Sequence, residues 1–145
     1  MTSSVSTALA AEIQTACAMV VARYCHCADL REHRAFSELF APDGEWIRPG
    51  MHMRGRDEIY RFMDGRPPAL TRHVCGSVHV EVIDADHARG LNYTTVYRAQ
   101  NPAGSPPAKL HAQMVVDYRD DFVRLDGRWL IRKRHTTVVF LDAAA

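Results

Sequence analysis

Residues 110–140 read LHAQMVVDYRDDFVRLDGRWLIRKRHTTVVF. Two runs rich in β-branched and aromatic residues flank Asp126-Gly127. An Asp-Gly pair between such runs is a strong hairpin signal, because both residues tolerate the positive φ of a tight two-residue turn. The stretch therefore predicts two long antiparallel strands, over 110–125 and 128–140. Upstream, residues 88–99 (ARGLNYTTVYRA) and 72–83 (RHVCGSVHVEVI) also read as strands, with DADHA as the turn between them. In the earlier of these, period two puts Val74, Val78, Val80 and Val82 on one side. Residues 100–108 (QNPAGSPPA) form a Pro/Gly/Ser loop.

The first half has a different period. From Leu9 to Ala28 the apolar positions Leu9, Ile13, Ala16, Cys17, Val20, Tyr24 and Cys27 follow helical spacing. Asp29 followed by Glu32 has capping-box spacing, which predicts a second helix over Leu30–Phe40 burying Leu30, Phe36, Leu39 and Phe40. APDGEW reads as a turn, EWIRP as a short strand, and GRDEIYRFMDG as a third helix capped by Asp57. Helices first and long antiparallel strands after them argue an α+β fold. The expected architecture is a cone-shaped α+β barrel. Three N-terminal helices pack on a strongly curved, mixed or antiparallel sheet and enclose a cavity. With no repeat and no linker, residues 1–145 form one domain whose core spans about 9–140. The ends, 1–7 and 142–145, read as frayed.

Composition narrows the class. Hydrophobic residues make up 47% and charged residues 24%, and the formal net charge is +1. No Lys/Arg block is present to track phosphates, so nucleic acid is not an expected partner. No apolar run reaches the roughly 18 residues that a membrane span needs. The opening MTSSVSTALAAEIQ lacks a basic n-region. The expectation is a cytoplasmic protein with Cys17, Cys25, Cys27 and Cys75 reduced.

The stretch RYCHCADLRE, residues 23–32, concentrates reactive side chains. Cys25, His26 and Cys27 suit zinc by type. Consecutive helical positions diverge by about 100°, however, so the triplet cannot converge on one ion. No metal site is expected. Tyr24 and Asp29, five positions apart, diverge by roughly 140° on a continuous helix. If the helix breaks at Ala28, Asp29 sits at a corner and can turn back under Tyr24; otherwise it serves as a cap. His73 falls opposite the valines by strict alternation, on the solvated face. A β-bulge at Gly76-Ser77 would instead put it on the face of Val78 and Val80, since glycine inside a strand often marks a bulge. Asn92, Tyr118, Asp120 and Arg134 are polar strand residues that either enter a cavity or pair at the surface.

Taken together, these segments resemble the SnoaL-like family of the nuclear transport factor 2-like superfamily. VARYCHCADLREHRAFSELFAPDGEW resembles its opening: a helical Tyr, an Asp five residues later, then a Leu-Phe-x-x-Asp-x-x-Trp run into the first strand. MRGRDEIYRFM resembles its third-helix segment, TRHVCGSVHVEVIDADHARG the strand that starts with its His, and VVDYRDDFVRLDGRWLIRKR its final hairpin. The Tyr/Asp/His set is most similar to that of scytalone dehydratase, bile-acid 7α-dehydratase and hexachlorocyclohexane dehydrochlorinase members. Asn92 stands about where scytalone dehydratase has a second histidine, and the dehydrochlorinase has a lysine about where Tyr24 stands.

The resemblance implies catalytic roles for His73 as base, Asp29 as its partner and Tyr24 as phenol donor. Arg134, Asn92, Tyr118 and Trp46 are the implied substrate-binding residues. The implied activity is a cofactor-independent lyase of dehydratase type acting on a small apolar hydroxylated or carbonyl substrate. An isomerase or polyketide cyclase with the same proton-transfer site, or a non-catalytic binding module, is the alternative. Self-association as a homodimer or homotrimer is implied as well. The chemistry fits the residue types. An imidazole can take a proton and return it near neutral pH, a carboxylate fixes its tautomer, and a phenol can donate to a developing enolate.

Overall fold

The structure, a computed structural model, describes residues 5–100 and 107–144. Most of the loop expected over 100–108, and part of each expected frayed end, lie outside the described residues. The elements are α1 (Thr7–Asp29), α2 (His33–Glu38), β1 (Phe40–Arg48), β2 (Met51–Arg54), α3 (Gly55–Asp64), β3 (Leu70–Val82), β4 (His87–Ala99), β5 (Ala112–Leu125) and β6 (Arg128–Leu141). The opening hairpin is β5–β6. Asp126 and Gly127 both have positive φ, 50° and 75°, as a two-residue turn of this type requires.

The strands form one mixed sheet in the order β2-β1-β6-β5-β4-β3. Its ladders are antiparallel except for the parallel β1–β6 pair. Every ladder apart from β1–β2 contains a register shift. Extra residues on one strand bend it and increase its twist, so these shifts curve the sheet. The curved sheet stays open, with β2 and β3 as its edges. The helices cover its concave face: α1 packs chiefly on β3, and α3 on β1. The core there is aromatic. Tyr24 meets Phe36, Tyr118 and Trp46 at centroid distances of 4.5, 5.4 and 5.9 Å.

α1 starts at Ser6, whose hydroxyl accepts from the Leu9 amide at 3.2 Å. It buries Ile13, Cys17, Val20, Tyr24 and Cys27, the stripe that the helical spacing predicts. Its end corrects the capping-box reading. Asp29 is the last residue of α1 and not a cap for α2. The corner is a Schellman motif: the Glu32 amide donates to the Cys27 carbonyl at 2.9 Å and the Arg31 amide to the Ala28 carbonyl at 3.4 Å. Arg31 takes the left-handed conformation, φ 58°, normally left to glycine. Its guanidinium donates to the carbonyls of Arg66 and Pro67 at 3.1 and 3.4 Å, which holds the corner. This motif uses up the residues expected to begin the second helix. α2 is therefore short, and Leu30 is 64% exposed instead of buried.

Two other local expectations change. Pro42-Asp43-Gly44 does not end in a turn; it lies inside β1, in the shift between the Phe40–Ile131 and Glu45–Lys133 pairs. Gly44 is required there, because a Cβ would stand 2.9 Å from both the Ala41 and Ile131 carbonyl oxygens. α3 is not capped by Asp57, which lies in its first turn. The Arg54 amide instead donates to the Glu58 carboxylate at 2.7 Å.

On the convex face of the sheet, Val74, Thr95, Val115 and Phe140 form a row across four strands. Val74 and Phe140 are exposed. Among the described residues no helix is long and apolar enough to cross a membrane.

Candidate active site

His73 reaches the concave face because β3 is bulged. The ladder passes from Gly76–Tyr93 to His79–Leu91, leaving one extra residue on β3, and Ser77 has φ 50°. An odd insertion reverses the alternation. Before the shift, His73 and Cys75 face inward; beyond it, Val80 does. The expected single valine face is therefore split. Val80 is 6% exposed, whereas Val74 and Val78 are 57% and 40% exposed.

Asp29, at the end of α1, lies directly against His73. Its Oδ1 is 2.6 Å from Nδ1 of the ring and accepts from the Thr71 hydroxyl at 2.9 Å. Its Oδ2 accepts from the His73 amide at 3.0 Å. The side chains of His73 and Asp29 are 11% and 7% exposed. Burial alone would raise the Asp29 carboxyl. The hydrogen bonds from His73 and Thr71 and the charge of His73 outweigh it, so the group stays below the usual carboxylate range. A carboxylate at Nδ1 makes that nitrogen the proton-bearing one and leaves Nε2 with its lone pair.

The ring faces a cavity of about 110 Å³ between α1 and the sheet. Tyr24, Phe36, Trp46, Met63, Val96 and Tyr118 supply much of its wall. Three of the expected site residues thus share the cavity with His73: Tyr24, Tyr118 and Trp46. The Trp46 indole donates to the Thr136 hydroxyl at 3.0 Å, which fixes its plane. Burial pushes the Tyr24 phenol up from its ordinary value, against the opposing charge of Arg134, so it is a hydrogen-bond donor at neutral pH.

Arg134 and Asn92 are placed behind the wall and do not line the cavity. Arg134 is fully buried and forms two 2.7 Å hydrogen bonds to Asp120. Its guanidinium also lies 4.0 Å from the Tyr24 ring centroid and 4.2 Å from that of Tyr118. The Asp120 carboxylate keeps it charged against the cost of burial. So Asp120, which surface pairing would have explained, is half of a buried ion pair that positions both phenols. Asn92 accepts from Thr94 at 3.1 Å and from Cys75 at 3.4 Å.

The Cys25-His26-Cys27 triplet diverges as helical geometry requires: both cysteines are buried and His26 is exposed. Among the described residues no group of three His, Cys, Asp or Glu is arranged to hold a metal ion.

Some cavity residues were not singled out in the sequence. Thr71 lies two residues before His73 on the same strand face, and Arg48 lies two after Trp46; period two is the signal that finds both. Arg98 follows by the same rule, two residues beyond the inward-facing Val96. Arg66, beyond α3, carries no such signal.

Comparison with known proteins agrees with this architecture. An NTF2-like protein with a cystatin-like fold from Novosphingobium aromaticivorans is 26% identical, with a TM-score of 0.75 over 99% of this chain and 96% of the other. A candidate scytalone dehydratase from the same organism is 17% identical, with a TM-score of 0.80 over 94% and 91%. A hexachlorocyclohexane dehydrochlorinase is 15% identical, with a TM-score of 0.79 over 94% and 92%. No curated protein matches the chain. The SnoaL-like domain is matched over residues 10–135, nearly the whole of the described core, and the chain belongs to that family.

Proposed function

We propose that the protein is a lyase of dehydratase type that works by proton transfer at His73 and needs no cofactor for this step. The observation that carries the reading is the 2.6 Å contact between His73 Nδ1 and Asp29 at the wall of a cavity also lined by Tyr24, Phe36, Trp46 and Val96. A mere cap or a surface histidine would not need a buried carboxylate held by three hydrogen bonds. Two of the structural neighbours bear the names of elimination enzymes, a dehydratase and a dehydrochlorinase.

In the proposed reaction Nε2 takes the acidic C–H proton next to the carbonyl of a β-hydroxy carbonyl compound. Charge moves onto the carbonyl oxygen, where the Tyr24 hydroxyl donates a hydrogen bond. The imidazolium, stabilised by Asp29, then gives its proton to the departing hydroxyl. A C–H and a C–O bond break, a C=C bond forms, and water leaves. The aromatic part of the wall, Phe36 and Trp46 beside Tyr24, limits screening of these interactions by bulk water. The substrate has an apolar body small enough for the cavity.

The purified protein is expected to convert β-hydroxy ketones into conjugated enones, followed by ultraviolet absorbance. In D2O, deuterium entering the α-carbon without loss of water would replace the dehydratase reading with the isomerase one. Neither elimination nor exchange across a panel of aryl and alkyl substrates would overturn both. Asp29→Asn should lower turnover by about ten- to a hundredfold, the scale of one lost hydrogen bond to a charged group. It should also change acid sensitivity. A carboxyl depressed in the folded state stabilises the fold above its unfolded pKa of about 3.9, and that contribution is lost as pH falls through the lower folded value. The loss in urea midpoint between pH 7 and pH 3 should therefore be smaller in Asp29→Asn than in the parent.

A further inference from the structure

The cavity wall contains an excess of positive charge that the elimination chemistry does not use. Arg48, Arg66 and Arg98 all line it, from the end of β1, the segment after α3 and the end of β4. Arg98 pairs across the ladder with Thr71, one of the donors to Asp29. Aromatic rings hold the other two in place. The Arg48 guanidinium lies 5.0 Å from the Trp46 ring centroid and 5.2 Å from that of Phe62, and the Arg66 guanidinium lies 5.9 Å from Phe62.

Among the described residues none of the three forms an ion pair with a carboxylate. Residues 1–4, 101–106 and 145 include no Asp or Glu. Other carboxylates have partners of their own: Asp29 holds His73, Asp64 holds His33, Glu45 holds His52 and Asp120 holds Arg134. Arg134 shows how this fold treats a fully buried guanidinium outside the cavity, by giving it a matched carboxylate. Three half-buried guanidiniums around one cavity repel each other and lose solvation. Burial and the charges of Arg48 and Arg98 pull Arg66 below its usual value, which is the cost of that crowding.

We propose that Arg48, Arg66 and Arg98 form an oxyanion subsite, so that the substrate carries a carboxylate or phosphate group on its apolar body. This inference rests on the cavity being the substrate site proposed above. A guanidinium offers paired N–H donors that match such groups, and a cavity lined with one sign of charge concentrates ligands of the other. The anion would occupy the arginine end, leaving the reacting carbons for His73.

The test is equilibrium binding of benzoate, phenyl phosphate and neutral benzamide at low salt, measured by calorimetry. It needs no turnover. At least one anion should bind about tenfold or more tightly than benzamide, the scale of a hydrogen bond to a charged group. Which anion wins distinguishes a carboxylate from a phosphate substrate. The preference should disappear in Arg66→Gln/Arg98→Gln and persist in His73→Ala. Because the double variant removes like charges, its thermal midpoint should not fall, so a lost preference would not report unfolding. Benzamide binding as tightly as both anions, no binding of either anion, or a preference that survives the double variant would overturn the subsite. Anion binding by a protein with no eliminating activity would instead overturn only the lyase reading.

Discussion

His73→Ala should reduce elimination by about a hundredfold to ten-thousandfold, the usual contribution of a positioned acid–base group. That is roughly 2.7–5.5 kcal/mol of transition-state stabilisation. The loss should fall on kcat and leave KM nearly unchanged, because the imidazole acts on a proton that moves only during reaction. The variant should fold. Asp29 keeps two of its three hydrogen bonds, from the Thr71 hydroxyl and from the backbone amide at position 73, which alanine retains. A loss below about a hundredfold, the bottom of what acid–base assistance supplies, would remove His73 from the chemistry.

The largest expected change in stability comes from a residue outside the cavity. Asp120→Ala should destabilise the protein by about 3–5 kcal/mol, since it leaves the Arg134 guanidinium buried without its partner. Against a total of roughly 5–15 kcal/mol for a domain, this is a large fraction. A melting point lower by about 10 °C or more follows for a chain of this size. The cost lies in the stranded charge and not in the pair's own worth. Asp120→Leu combined with Arg134→Met should therefore recover most of the loss, because an apolar pair of similar volume avoids the desolvation cost. The double variant should still lose activity, as nothing then holds the Tyr24 and Tyr118 rings 4.0 and 4.2 Å from a fixed cation. A single variant that melts with the parent would show that Asp120 does not carry Arg134.

The sequence made the strands and the first helix readable for simple reasons. Their periods differ, and Asp126-Gly127 is chemically suited to its turn. What it hid depended on contacts between distant segments. The start of the second helix is not legible locally, because the corner after Asp29 is a Schellman motif with arginine, not glycine, in the left-handed position, so the usual stop signal is missing. The Pro42-Asp43-Gly44 run looks like a turn locally. Its role is a bulge against β6, far downstream in the chain, and no local pattern encodes that. The face of His73 could be read only by taking Gly76-Ser77 as a bulge, which strict alternation denies. Tyr24, Asp29 and His73 were brought together by family resemblance; Asp29 and His73 are 44 residues apart, and spacing alone does not join them. Whether Asp120 and Arg134 enter the cavity or pair at the surface is not legible locally, because burial is a tertiary property. Arg48 and Arg98 follow from period two once Trp46 and Val96 are known to face inward, which is again a tertiary property; Arg66 has no local signal.

In the proposed reaction Asp29 holds the proton of His73 on Nδ1 and leaves Nε2 as the base. The ¹⁵N NMR shifts of the His73 ring measure this directly, with no substrate required. At a pH where the ring is neutral, Nδ1 should be protonated and Nε2 unprotonated, with this preference lost in Asp29→Asn. A ring found with its proton on Nε2, or as an even mixture unaffected by Asp29→Asn, would rule out Nε2 of His73 as the base.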